Sequence, residues 1–580
     1  MPHTLRRRLL AAGSVLGVVA LATASQTVAA GDDATQAERT YVVLYSEGAD
    51  AAAARDAITK AGGTVVEENG AVGLARVTST NAGFTSDVAR STAVRGAATE
   101  RTIGHAPTQR PKDEEVERQT SARRQQRGRG RGGRPGHGRP GHGTPGKPGK
   151  PGHGGPKPVT PEPLADRQWD MDMIDADPDG SYRRQQGDRA VRVGVIDTGI
   201  DGSHPDIAPN FNRELSRNFT VDDPTVDGPC EEEPDRSCTD PADVDENEHG
   251  THVAGTIASP LNGQGIGGVA PKVELVNLRA GQDYGYFFLQ PTVDAITYAA
   301  DNGIDVVNMS FYIDPWLFNC TANPADTPED QLEQRTIIEA TQRALRYARE
   351  RGVTLIAAEG NQAIDLGNPS ENMASPGYPP GAEYQRDVDN SCLTLPTEGE
   401  GVVGVTSVGP SGRKAYYSSY GTEQADVSAP GGDTRDHPAA PESKAEAGIL
   451  APAPKAVLEA RGDLDPDGTP NNPFVVQDQG AYYQYLQGTS MAAPHAAGVA
   501  ALIVSQYGQR DRRGGKTLAP ATVERILSGT AVDTPCLEPR TFVYPGLPAA
   551  YTATCEGTPQ RNGFFGDGLV NALRAVSLRP

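Results

Sequence analysis

The chain has 580 residues, with 54 Lys and Arg against 75 Asp and Glu and a formal net charge of -21 at pH 7. That acidity argues against nucleic acid as the main partner, while the length permits several domains or one large α/β domain with attachments. The total hides a split, because residues 1–160 carry 23 basic and 14 acidic side chains and residues 161–580 carry 31 and 61.

The N-terminus reads RRRLLAAGSVLGVVALATASQTVAA from Arg6 to Ala30. Three arginines, an apolar run and a small-residue end have the form of a secretory signal peptide over residues 1–30. The uncharged run from Leu9 to Ala24 is shorter than the roughly 20 residues of a spanning helix. The mature chain is therefore expected to be secreted, extracellular and not inserted in a membrane; a monomer is the expected state. Residues 31–104 alternate strand-like TYVVLYS, helix-like AAAARDAITKAG, strand-like GTVVEEN and GLARVTS, and helix-like SDVARSTAV, the pattern of a small α+β unit. Residues 105–160 then change to glycine, proline and base, with ten Lys or Arg and no acid between Arg123 and Lys157. Such a stretch forms no core and reads as an extended linker.

From residue 161 to 580, apolar runs (RVGVIDTGI, VELVNLRA, DVVNMSFY, VTLIAAEGN, VVGVTSVG) alternate with helix-like TVDAITYAADNG and TIIEATQRALRYARERG. Continuous apolar strands separated by helices predict an α/β fold with a parallel sheet covered on both faces. Ligands in such folds sit at the carboxyl ends of the strands. Long polar loops are expected at 220–248 and 433–480, and the closing GDGLVNALRAV is read as a last helix with no further domain after it. Of six cysteines, Cys230 with Cys238 and Cys536 with Cys555 are close in sequence, which leaves Cys320 with Cys392 among the 15 pairings that six allow.

Three segments carry the chemistry. VGVIDTGIDGSHPD sets Asp197 at the end of an apolar strand, where a buried carboxylate needs partners. NEHGTHVAGTI sets His249 at the head of a segment of small residues. QGTSMAAPHAAGVAAL sets Ser490 at a glycine turn into a helix, with Pro494 expected in the first turn, so that the hydroxyl meets the positive end of the helix dipole. A serine becomes a nucleophile only when a base takes its proton and a third group holds that base. Asp197, His249 and Ser490 supply those roles in the chain order Asp, His, Ser. Asn361, in IAAEGNQ after another buried strand, offers an amide to a developing oxyanion, beside the Ser490 backbone N–H.

Together VIDTGIDGSHPD, HGTHVAGTI, the Gly360–Asn361 pair and GTSMAAPHAAG resemble the subtilases, the subtilisin-like serine peptidases, over most of residues 165–580. The resemblance implies a subtilisin-like fold over 161–580, with Asp197 as orienting acid, His249 as general base, Ser490 as nucleophile and Asn361 as oxyanion donor. It implies protein or peptide substrates hydrolysed through an acyl-enzyme, and an inhibitory propeptide over 31–104 that is removed by self-maturation. NMSFYIDPW stands where subtilisins have NMSLGG, so the implied substrate-binding residues are Ser310, Phe311 and Tyr312, with Gly360; substrate would add there as a β-strand. LNGQGIGGVAP resembles the family's calcium loop, which implies a structural calcium at Asp206 and Asn262 and no organic cofactor. Glu359 departs from the small residue usual in the family.

Each segment alone has a competing reading. Asp197-Thr198-Gly199 also suits an aspartic peptidase, but that chemistry needs a second such carboxylate, and no second D-T-G or D-S-G exists. His249 and His252 lie three apart without the third ligand of a zinc helix; His204, His252 and His495 read as structural. Ser490 alone would be a helix cap. The alternatives to a general endopeptidase are a processing peptidase dedicated to one precursor and a catalytically silent binding protein.

Overall fold

The computed structural model describes residues 38–99, 159–224, 226–230, 236–378, 381–436, 444–510 and 515–578, so the expected signal peptide and nearly all of the expected linker lie outside the described residues. In the first stretch, β1 (Arg39–Tyr45), β2 (Gly63–Asn69), β3 (Leu74–Ser79) and β4 (Val94–Thr99) form an antiparallel sheet in the order β2-β3-β1-β4. The segment SDVARSTAV was expected to be helical throughout, but α2 covers only Phe84–Val88 and Val94 already opens β4. The physical reason is the otherwise open edge of β1, whose backbone groups need partners: Val42 pairs with Ala98 and Val43 with Ala97. Helix α1 (Ala51–Lys60) is capped by Asp50, which accepts from the Ala52 N–H at 3.0 Å. Ile58 of α1 and Phe84 of α2 pack against Tyr41 and Val43 on one face of the sheet.

The apolar runs of the larger part form one seven-stranded parallel sheet. Its strands are β5 (Arg192–Ile196), β6 (Arg217–Asn218), β7 (Glu274–Arg279), β8 (Val306–Met309), β9 (Thr354–Ala358), β10 (Val402–Val408) and β11 (Val427–Pro430), in the order β11-β10-β9-β8-β5-β7-β6. Five helices cover it: α3 (His249–Ala258), α4 (Leu289–Asp301), α5 (Pro328–Glu350), α6 (Thr489–Tyr507) and α7 (Pro520–Thr530). Because successive strand residues point to opposite faces, Leu355 and Ala357 of β9 join the core under α4 and α5, while Ile356 and Ala358 join the core under α3, α6 and α7. The long α5 starts at a capping box, in which the Thr327 hydroxyl and the Asp330 carboxylate accept from each other's backbone N–H.

The loop expected at 433–480 contains regular structure. β12 (Ile449–Pro452), β13 (Val475–Asp478) and β14 (Ala481–Leu486) form an antiparallel sheet in the order β12-β14-β13. Two of the histidines read as structural tie it down: His252 Nε2 donates to the carbonyls of Ile449 and Gln484 at 3.0 and 3.1 Å, and His204 Nε2 to that of Tyr482 at 2.9 Å. In the closing segment only α8 (Ala572–Ala575) is helical. Gly566 and Gly568 turn at φ +55° and +127°, and Leu569 then bridges Ser428 of β11, so the chain runs along the sheet before α8 begins.

The second face of the small sheet meets the larger part. Val42, Leu44 and Leu74 share a core with Val293 and Ile296 of α4 and Ile337 and Ala340 of α5. Asn69 donates to Asp294 and Thr297 of α4 at 2.6 and 2.7 Å, and Arg343 of α5 donates to the carbonyls of Tyr45 and Val72 at 2.8 and 3.2 Å. All three expected disulfides are formed. No helix among the described residues is long and apolar enough to cross a membrane.

Beside the Cys320–Cys392 bridge lies a fully buried ion pair. Arg386 donates to both oxygens of Asp326 at 2.7 and 2.8 Å, with its guanidinium 4.8 Å from the Trp316 ring centre. Removing one member of a buried pair strands the other charge. Arg386→Met should therefore destabilise the fold by about 3–5 kcal/mol, read as a lower thermal midpoint, and adding Asp326→Leu should restore part of the loss.

Candidate active site

At the carboxyl end of β5 the chain buries Asp197 completely. Its Oδ1 accepts from the Thr198 N–H at 2.8 Å and from His249 Nδ1 at 2.7 Å. With Nδ1 bound to the carboxylate, Nε2 is the end of the ring that takes a proton. His249 is the first residue of α3, and the helix start is held by a residue that sequence reasoning missed. Asp245 Oδ1 accepts from the Asn247 and Glu248 N–H groups, each at 3.1 Å, and from the Thr198 hydroxyl at 3.1 Å; Oδ2 accepts from Thr251 N–H at 2.9 Å. One carboxylate thus ties the residue after Asp197 to the residues on both sides of His249. Burial, with the nearby Asp197 adding to it against the Thr251 hydrogen bonds, pushes Asp245 up to about 6. An acid ahead of a helix start is a capping signal, but its link to Thr198 is not readable from spacing. Gly250 lies so close to the strand end that a Cβ there would fall 2.0 Å from the Gly199 carbonyl.

Ser490 is the second residue of α6 and is 5% exposed. Pro494 lies in the second turn rather than the first, because the helix starts at Thr489. Having no N–H, Pro494 leaves the Ser490 carbonyl without its helical donor, and the Ser310 hydroxyl donates to that carbonyl at 3.0 Å. The Ser490 hydroxyl donates in return to the Ser310 carbonyl at 3.2 Å. Thr489, also missed in the sequence, organises the neighbouring donor. Its N–H and its hydroxyl both donate to Asn361 Oδ1 at 2.9 Å, and its hydroxyl accepts from the Gly360 N–H at 3.0 Å. An N–H can only donate, so Thr489 marks the oxygen end of the Asn361 amide and turns the Nδ2 donor end away from itself. Gly360 makes the turn at φ +103°, a conformation that favours glycine.

The chain past β8 continues through Ser310, Phe311 and Tyr312 beside Ser490. Phe311 stacks on Phe287 with ring centres 4.1 Å apart and planes 6° from parallel. Tyr312 packs instead with Leu317, Phe318 and the Cys320–Cys392 region. The remaining histidine, His495, is buried and structural: Nε2 meets Asp170 at 3.0 Å and Nδ1 donates to the Met491 carbonyl at 2.8 Å.

Asp206 and Asn262, the implied calcium ligands, touch each other as a hydrogen-bonded pair. Asp206 Oδ1 accepts from Asn262 Nδ2 at 2.9 Å, and Oδ2 accepts from the Ile266 N–H at 3.1 Å and the Tyr483 hydroxyl at 2.8 Å. The Asn262 oxygen faces the other way and accepts from the Gln264 N–H at 2.9 Å. So arranged, the pair does not present the oxygen cage that calcium requires. Elsewhere, oxygens of Asp222, Asp240 and Asp283 lie within 4.8 Å of one another. The Arg279 guanidinium donates to all three, occupying the cation's role among them.

The subtilase family model matches residues 188–568. The chain is 30% identical over 322 residues to the thermophilic serine proteinase of Bacillus sp. (strain AK1), a match covering 55% of this chain and 54% of that protein. It is 28% identical over 343 residues to subtilisin DY of Bacillus licheniformis, covering 59% of this chain and 84% of that protein. The chain thus spans about half the length of the first of these relatives. Among solved structures, the epidermin leader-peptide-processing serine protease of Staphylococcus aureus aligns with a TM-score of 0.59 at 18% identity, over 94% of this chain and 99% of that one. Fervidolysin of Fervidobacterium pennivorans aligns with a TM-score of 0.53 at 20% identity, over 94% and 62%. At these identities the structural likeness establishes the fold.

Thr489→Val keeps shape and removes the hydroxyl that anchors Asn361 and Gly360. If these groups serve the reaction, it should lower kcat about tenfold with little change in KM, as expected for a hydrogen-bond anchor worth about 1.4 kcal/mol in the transition state alone.

Proposed function

The chain belongs to the subtilase family, and we propose that it is a serine endopeptidase that cuts protein or peptide substrates through an acyl-enzyme on Ser490. The observation that carries this reading is the buried Asp197–His249 hydrogen bond of 2.7 Å, with Ser490 in the first turn of α6, which shares a core with the helix that His249 opens. In the first half-reaction the Ser490 hydroxyl leaves the Ser310 carbonyl and passes its proton to His249 Nε2 as Oγ attacks the substrate carbonyl carbon. The oxygen of that carbonyl takes up negative charge between Asn361 Nδ2 and the Ser490 N–H, where the α6 dipole adds favourable potential. Collapse of the tetrahedral intermediate breaks the C–N bond, and the imidazolium gives its proton to the leaving amine. Water repeats the sequence and frees the acid product. Asp197 holds the ring tautomer and stabilises its positive form throughout.

The sheet β1–β4 fits an inhibitory propeptide: its contacts fall on α4 and α5, through apolar side chains and the hydrogen bonds of Asn69 and Arg343. Three disulfides and no free cysteine among the described residues support export to an oxidising compartment. Phe311, half-buried and stacked on the buried Phe287, offers an aromatic face next to Ser310, which favours apolar substrate side chains over charged ones. A peptidase dedicated to one precursor would share every chemical step, and a peptide-library profile separates it from a general enzyme by the breadth of cleavage.

The test is the intact mass of the protein beside its Ser490→Ala variant, each with and without a fluorophosphonate. The expected result is propeptide loss and one adduct on Ser490 in the native protein, and neither in the variant. An unlabelled, unprocessed native protein would favour a binding protein instead. Asn361→Leu removes one oxyanion donor and should reduce kcat by about 10²–10³, with KM nearly unchanged.

A further inference from the structure

The residue before Gly360 is an acid with no counter-charge. Glu359 is 1% exposed, and among the described residues neither of its carboxyl oxygens has a hydrogen-bond partner. The side chain lies against the backbone of β10: a Cβ added at Gly404 would sit 2.5 Å from Glu359 Oε2, so the acid fills the space that a side chain there would take. The charged groups acting on it are both acids, Glu398 from the turn before β10 and Asp426 from the turn before β11. Glu398 accepts from the Thr394 N–H at 2.7 Å and from Gln424 at 3.3 Å, and burial pushes it up to about 7. Asp426 accepts from the Gly404 N–H at 3.1 Å and meets Arg561 at 3.4 Å, and Arg561 also pairs with Asp567 at 3.1 Å. Burial first, then Glu398 and Asp426, holds Glu359 well above the usual carboxyl range.

The backbone on both sides of this carboxyl builds the site. The Glu359 N–H donates to the Val405 carbonyl at 3.1 Å, directly after the last residue of β9. Gly360 then turns onto Thr489, and Asn361 follows with its Oδ1 on the same threonine. A charge on Glu359 meets a buried pocket and two acids, and the backbone that follows it is the segment that carries the oxyanion donor.

We propose that Glu359 is a positioning residue for that donor, competent only as the neutral acid: ionising its carboxyl between Glu398 and Asp426 drives the side chain out and draws Gly360 and Asn361 off their Thr489 anchor. The inference rests on the peptidase reading above. As an acid that keeps its proton in the folded state after the unfolded chain has released it, Glu359 makes stability fall as pH rises, until its own titration is passed. Activity falls in the same direction.

The experiment compares wild type with Glu359→Gln, a neutral isostere, measuring kcat and KM on one cleaved peptide from about pH 6 to 10, with the full alkaline limb resolved. The expected result is a wild-type kcat that drops about tenfold per pH unit above the titration midpoint while KM holds, and a Gln variant that lacks this limb and stays within about twofold of wild type at neutral pH. A second readout is the thermal midpoint against pH in the Ser490→Ala background, which cannot digest itself: it should fall with rising pH when Glu359 is present and stay flatter when Gln replaces it. Coincident alkaline limbs overturn the proposal, and so does a Gln variant that fails to fold, because a neutral side chain of that shape is what the pocket is argued to hold. If instead wild type cleaves no peptide and Ser490 takes no fluorophosphonate at any pH, it is the peptidase reading that fails.

Discussion

A buried carboxylate accepting from a histidine is the constraint on which the rest of this site depends. Asp197 lies at the closed end of β5 with no solvent to share its charge, so His249 Nδ1 and the Thr198 N–H must answer it. That requirement fixes the ring tautomer, and the tautomer decides which nitrogen faces the chemistry. It also fixes the approach of α3 to β5, which leaves no room for a side chain at position 250. Asp245 makes the approach permanent by binding Thr198 on the strand side and Asn247, Glu248 and Thr251 on the helix side.

The other half of the site is organised by what α6 lacks. Pro494 removes a backbone donor, and the Ser490 carbonyl so released is satisfied by Ser310 at the end of β8. A helix defect thereby becomes a crosslink between the serine and the segment that follows β8. Thr489 forms the matching crosslink to the turn after β9. Three strand ends, β5, β8 and β9, are thus tied to the starts of α3 and α6, in keeping with the rule that parallel sheets place their sites at the carboxyl ends of strands.

An acidic chain must also manage its interior. Arg279 and Arg386 are both fully buried, Arg279 among three carboxylates and Arg386 against that of Asp326, and they serve as internal counter-ions for the 220–248 loop and the disulfide-linked 320–392 segment. Removing a partner from such pairs is costly even where the intact pair adds little net stability. Glu359 has neither kind of partner, since no cation acts on it and, among the described residues, neither carboxyl oxygen accepts a hydrogen bond.

Much of this was legible in the sequence. Asp197, His249 and Ser490 stand out because each is an expensive residue at a recognisable boundary, a strand end or a glycine-led helix start, and such boundaries are written in a few adjacent residues. The parallel sheet was legible too, since its strands must be apolar on both faces. What the local pattern could not contain is contact between distant residues. Thr489 reaches Asn361 across 128 positions, and Asp245 serves Thr198 across 47. The helix read over 86–94 was carried too far, into the first residue of β4, because the demand β4 meets is the open edge of β1, which no window around residue 94 includes. Which end of the Asn262 amide faces Asp206 likewise depends on Gln264 and Tyr483 being placed around the pair. The sequence by itself determined which residue types stand at the strand ends and helix starts, because residue type and local spacing are covalent facts. Only the tertiary structure decided how those residues are held, because hydrogen bonds and burial act between atoms that the chain brings together only when it folds.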